Sequence, residues 1–166
     1  MKLERGLPFA TNSIDLIYTS HFIEHLTRHE ARTLLKDALR VLKPGGTIRI
    51  VVPDLEGAAR LYLKSLDSGD AKAAEEFLER TSLYSDSRAS FTNLRAWKSF
   101  WFDYQRHFWM YDSDSMKHCL SEIGFENVCD CDGQKSEKIA DIEQVERAEA
   151  VGSDGRGLAV EAQKPQ

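Results

Sequence analysis

Between residues 14 and 66 the apolar residues change their spacing in a fixed succession, and few folds accommodate it. Ile14-Asp15-Leu16-Ile17-Tyr18-Thr19-Ser20 holds a nearly continuous apolar run, the pattern of a strand covered on both faces. Thr27 and Glu30 then form a T-x-x-E capping box, which predicts a helix beginning at Arg28. Ala31, Leu34, Leu35, Ala38, Leu39 and Leu42 follow on one helical stripe. Lys43-Pro44-Gly45-Gly46 ends that helix, because Pro and Gly do not comfortably continue it. Thr47-Ile48-Arg49-Ile50-Val51-Val52 is rich in β-branched residues and reads as a second strand. Pro53-Asp54 closes it, and Asp54 is placed to cap a helix over 55–66. Strand, helix, strand, helix is the alternation of an α/β protein with a parallel sheet.

Beyond this βαβα core, taken as residues 1–67, Asp70 is placed to cap a helix over 71–80. Residues 81–95 are polar and turn-like, and 97–111 hold all three tryptophans. Residues 68–112 are therefore expected to form a helical and aromatic lid. A helix is predicted over 113–123, with Met116, Cys119, Leu120 and Ile123 inward, Gly124 just past its end and Phe125 folding back in a Schellman turn. Residues 128–131 and 157–162 read as strands able to pair antiparallel. Between them lies a charged insert, 135–150, of weak helical character and expected mobility. Residues 113–166 thus make a C-terminal helix and hairpin, and the 166 residues are expected to form one domain.

Composition excludes several classes. With 27 acids against 22 bases the chain is a poor nonspecific nucleic-acid binder. Without eighteen consecutive apolar residues it has no expected membrane span, and without an apolar N-terminal region no expected secretory signal. Cys119, Cys129 and Cys131 are odd in number and lack the spacing of a disulfide framework, which suits reduced thiols in a cytoplasmic protein.

His21-Phe22-Ile23-Glu24-His25 matches H-x-x-E-H, a pattern of one class of zinc peptidases, and His29 adds a third histidine at the same spacing. On one helix these three would share a face. The capping box places His21 and His25 before the helix, so no metal site is expected. Position is more telling. In open α/β sheets ligands bind beyond the carboxyl ends of the strands, where Thr19-Ser20-His21 and Pro53-Asp54 fall. The aromatic stretch reads either as packing or as one wall of an acceptor pocket, with Arg106 and His107 as its polar groups.

Several blocks together resemble the class I, Rossmann-like S-adenosylmethionine-dependent methyltransferases. They are Gly6-Leu7-Pro8-Phe9, Ser13 to Tyr18, His21 to Leu26, Leu39-Arg40-Val41-Leu42-Lys43-Pro44-Gly45-Gly46 and Ile48 to Asp54, with Gly124-Phe125 as a weaker C-terminal match. The resemblance implies a seven-stranded sheet with a terminal antiparallel hairpin, in which residues 14–20 are similar to the fourth strand and 47–52 to the fifth. It implies S-adenosylmethionine as cofactor, with Thr19, Ser20 and His21 lining its pocket. It also implies His107 and His21 as candidate bases, and Arg106, Trp109 and Tyr111 as contacts for a small-molecule or sugar-like acceptor.

One departure from that family is large. Its glycine-rich turn and ribose-binding acid precede the LPF block by many tens of residues, whereas here that block begins at residue 7 and no G-x-G occurs in residues 1–20. The expectation is a partial methyltransferase sheet without the family's first three strands. Residues 14–20 would then form an open edge, a template for pairing with a second copy or a partner chain. The alternative to an enzyme is a non-catalytic half-domain that works by such pairing, and cofactor binding by this chain alone is expected to be weak.

Overall fold

The computed structural model describes residues 6–83, 107–147, 150–151 and 157–166. Its sheet has four strands: β1 (Ile14–Ser20), β2 (Leu42–Pro53), β3 (Glu126–Cys131) and β4 (Gly157–Gln163), in the order β1-β2-β4-β3. β1 and β2 are parallel, joined by the crossover helix α1 (Arg28–Val41), and β4 runs antiparallel to both β2 and β3. The architecture is α/β, with a parallel pair and a C-terminal antiparallel hairpin. β1 occupies one end of the order, and among the described residues no strand pairs with its outer flank.

Local chemistry sets most boundaries. β1 takes the span its apolar run predicts. α1 starts at Arg28 because the Thr27 hydroxyl accepts from Glu30 N–H while the Glu30 carboxylate accepts from Thr27 N–H. β2 begins five residues earlier than Thr47. Leu42 already pairs with Ile14, and the register then jumps to Leu16 with Thr47, so residues 43–46 form a bulge inside the strand. Gly46 suits it: a Cβ there would lie 2.9 Å from the Lys43 carbonyl oxygen.

The helix α2 (Leu55–Asp67) starts where expected but without a side-chain cap from Asp54, whose backbone instead bridges to Tyr111. The helix α3 (Ala73–Arg80) starts two residues late, because Asp70 Oδ1 accepts from Lys72 N–H and holds a turn before it. The helix α4 (Ser113–Ile123) matches its prediction. Gly124 follows it at φ +110°, and Phe125 N–H donates to Leu120 O, closing a Schellman end.

The core lies on one face of the sheet. Ile48, Ile50 and Val52 of β2 and Val160 and Ala162 of β4 pack against Ala31, Leu35 and Ala38 of α1 and Met116 and Leu120 of α4. The period of two puts Arg49 and Val51 on the opposite face. There the expectation of a mobile insert is corrected for its described residues. Arg49 is fully buried, and Glu146 of the insert grips it with Nε–Oε1 2.9 Å and Nη2–Oε2 2.5 Å. Glu161, its direct cross-strand neighbour, accepts from Nη1 at 2.8 Å. Ile139 and Ile142 are also buried, so the insert is anchored at Ile139, Ile142 and Glu146 while most of its other described residues are exposed. Cys119 is buried, Cys131 half-buried and Cys129 exposed, all as free thiols.

Candidate functional site

The site is built where β1 ends. His21 N–H still donates to Val51 O of β2 at 2.9 Å, and the chain then turns sharply, with His21 itself in the left-handed region at φ +49°. For a residue with a Cβ this conformation is uncommon and is held by its surroundings. A 3-10 turn over Ile23–His25 follows, with Ile23 in the core. Because Ile23 and Leu26 are both drawn inward, Glu24 between them is carried fully under the surface.

A second segment crosses the same place. Glu24 O accepts from Phe108 N–H at 2.8 Å and Trp109 N–H at 3.3 Å, and Tyr111 O accepts from Leu55 N–H at 2.9 Å. Residues 107–111 are thereby laid across the carboxyl ends of β1 and β2, which brings His107 to His25. Their ring centroids are 5.2 Å apart, in an edge-to-face arrangement. Glu24, His25 and His107 each present a donor atom within 4.8 Å of the others.

Electrostatics in this cluster are unusual. Among the described residues neither Glu24 carboxylate oxygen has a hydrogen-bond partner, although both are buried. His21 Nδ1 is 3.4 Å from Oε1 and His25 Nε2 3.9 Å, both longer than a full hydrogen bond. The Glu24 carboxylate nonetheless raises the His21 pKa above its usual value, against the lowering effect of burial. Burial lowers that of His107, whose Nδ1 is also buried without a hydrogen-bond partner among the described residues, so its neutral imidazole is favoured.

The other predicted site residues are placed as follows. Thr19 and Ser20 are half-buried on β1, opposite Ile50 and Val51. Trp109 is partly exposed, with the Arg28 guanidinium carbon 5.2 Å from its ring centroid. The Tyr111 ring belongs to the core and its hydroxyl is buried without a hydrogen-bond partner; burial pushes its pKa up to about 12. Arg106 and the expected lid over 84–106 lie outside the described residues. His29 is in the first turn of α1, between Thr27 and Glu30 of the capping box, whereas His21 and His25 precede that helix, so the three histidines four apart do not share one helix face. Sequence reasoning missed Glu24 as the hub of the cluster. Its signal was a lone acid between two apolar residues in Phe22-Ile23-Glu24-His25-Leu26.

Comparison with known proteins adds the following. A family model described as "Methyltransferase domain" matches residues 3–130. Among solved structures, a protein from Bordetella parapertussis is similar at TM-score 0.53 and 14% identity, over 95% of this chain and 41% of that one. A SAM dependent methyltransferase from Archaeoglobus fulgidus gives TM-score 0.49 and 16% identity, over 98% and 63%. A Haloferax volcanii protein solved in complex with the Trm112 methyltransferase activator gives TM-score 0.49 and 13% identity, over 96% and 58%. The chain therefore spans less than two thirds of the length of these structures. No curated protein matches it.

Proposed function

We propose that this chain, which belongs to the methyltransferase-domain family, serves S-adenosylmethionine-dependent methyl transfer to a small-molecule or sugar-like acceptor. The observation that carries the reading is the convergence of His21, Glu24 and His107 beyond the carboxyl ends of two parallel strands, where open α/β sheets bind ligands. Thr19, Ser20 and His21 would line one side of the cofactor. Thr19, Ser20 and His21 account for one side of the cofactor only.

What the chain offers is the acceptor side. His21, partly exposed and with Nδ1 facing Glu24, is suited to take a proton from an acceptor hydroxyl, and His107 is the second candidate base. The Trp109 ring, with Arg28 over it, supplies an apolar face for the acceptor. Titration calorimetry with S-adenosylhomocysteine tests the reading: saturable heat is expected. No heat at millimolar ligand would instead favour the non-catalytic half-domain, which the outer flank of β1, unpaired among the described residues, supports.

The outer flank of β1 is open to a partner strand among the described residues. A second copy joined edge to edge is the partner we favour, since backbone N–H and C=O groups along β1 are a ready template. Light scattering at micromolar concentration is expected to give twice the mass of one chain, and a mass of one chain removes the dimer. No helix among the described residues is long and apolar enough to cross a membrane.

A further inference from the structure

We propose that Glu24, His25 and His107 form a binding site for one divalent transition-metal ion of zinc type at the carboxyl end of β1. This goes beyond the methyl-transfer reading and does not depend on it.

The donor set is one carboxylate and two imidazoles, a combination that suits zinc and its neighbours better than calcium or magnesium. The donor atoms lie within 4.8 Å of one another, against about 3.3 Å between ligands around a tetrahedral zinc, so small side-chain rotations close the set. The two chain segments that supply it are already fastened together. Glu24 O accepts both Phe108 N–H and Trp109 N–H, which fixes the His107 segment beside the 3-10 turn that carries Glu24 and His25.

The strongest sign that something belongs there is Glu24 itself. Its side chain has no exposed surface, and among the described residues neither oxygen has a hydrogen-bond donor. Buried carboxylates are ordinarily hydrogen-bonded, paired or coordinated to a metal. The nearest cationic candidates, His21 and His25, stand at 3.4 and 3.9 Å from the same oxygen, Oε1. Among the described residues His107 Nδ1 is a second buried polar atom without a hydrogen-bond partner in the same cluster. A cation between them satisfies both groups at once. Three protein ligands leave one position of a tetrahedral ion for water or an oxygen of a bound molecule.

The test is a Co²⁺ titration of the 166-residue chain after dialysis against a chelator, read by visible absorption, with Zn²⁺ as competitor. One Co²⁺ per chain is expected, with the d–d bands of a tetrahedral nitrogen and oxygen site, displaced by Zn²⁺. Zn²⁺ is also expected to raise the melting temperature of the wild type. Glu24→Gln and His107→Ala should each weaken binding by at least about tenfold, while His29→Ala and His118→Ala titrate as wild type. His107→Asn, with a circular-dichroism spectrum matching the wild type, guards against a loss due to misfolding. Three results would overturn the proposal: no Co²⁺ bands at millimolar ion, wild-type binding in Glu24→Gln, or sulfur-to-cobalt charge-transfer bands that vanish in Cys129→Ser/Cys131→Ser. Since the titration contains no S-adenosylhomocysteine, its failure and that of the methyl-transfer reading are separate events.

Discussion

Glu146→Ala is expected to destabilise the protein by about 3–5 kcal/mol, measured by urea unfolding. The Arg49 guanidinium is fully buried on the sheet face away from the helices, and Glu146 supplies both oxygens of a bidentate pair there. Removing that carboxylate leaves Arg49 with Glu161 at 2.8 Å and the Lys135 carbonyl at 3.1 Å. The charge cannot be shed by deprotonation, so Nε and Nη2 lose their acceptors in a buried site and Glu161 alone offsets the guanidinium. The change also removes the acceptor of Gln134 N–H, which donates to Glu146 Oε2, while the Gln134 side-chain amide keeps its bond to the Glu146 backbone carbonyl. Residues 134–147 should therefore lose amide-exchange protection before the rest of the sheet. Replacing Arg49, Glu146 and Glu161 together by apolar residues of similar volume should recover most of the loss, because a buried ion cluster is costly to break rather than intrinsically stabilising. A change below about 1 kcal/mol in Glu146→Ala would mean that the insert is not anchored through this pair.

This same cluster shows where reading the sequence stops. Elements governed by neighbours in the chain were legible: β1 by its apolar run, α1 by Thr27 and Glu30, the end of α4 by Gly124 and Phe125. The early start of β2 was not, because Leu42 and Gly46 look like a helix end followed by a turn, and only pairing with β1 turns them into a bulged strand. The anchoring of the insert depends on Arg49 and Glu146, 97 residues apart, and no local pattern links them. The site divides in the same way. His21 at a strand end follows from the chain, whereas the meeting of Glu24 and His25 with His107 requires residues 107–109 to lie across β1, which backbone hydrogen bonds to Glu24 accomplish. The H-x-x-E-H spacing drew attention to the correct residues with the wrong geometry, a helix face, where the structure has a strand end and a 3-10 turn.

For the proposed methyl transfer, with His21 as the proposed base, His21→Gln is expected to lower kcat by about 10²–10⁴-fold, the range for losing a general base. The substitution keeps a hydrogen-bonding group but no longer accepts a proton. The imidazole is 42% exposed, so its loss leaves the core intact, and urea stability should change little. Glutamine also has to adopt the left-handed φ of +49° that His21 holds, so the unfolding curve and circular dichroism are measured alongside. Glu24→Gln should reduce kcat less, because it removes the carboxylate facing Nδ1 but leaves the imidazole in place. His107→Gln separates the two candidate bases. If His107→Gln abolishes turnover while His21→Gln keeps it, the proton goes to the inner histidine and the role given to His21 is lost. Cobalt titration distinguishes a base from a ligand: His21→Gln should bind Co²⁺ as the wild type does, since His21 is outside the Glu24, His25 and His107 set. A variant that loses turnover yet keeps the ion places the proton transfer on His21 at the mouth of the site and the cation behind it.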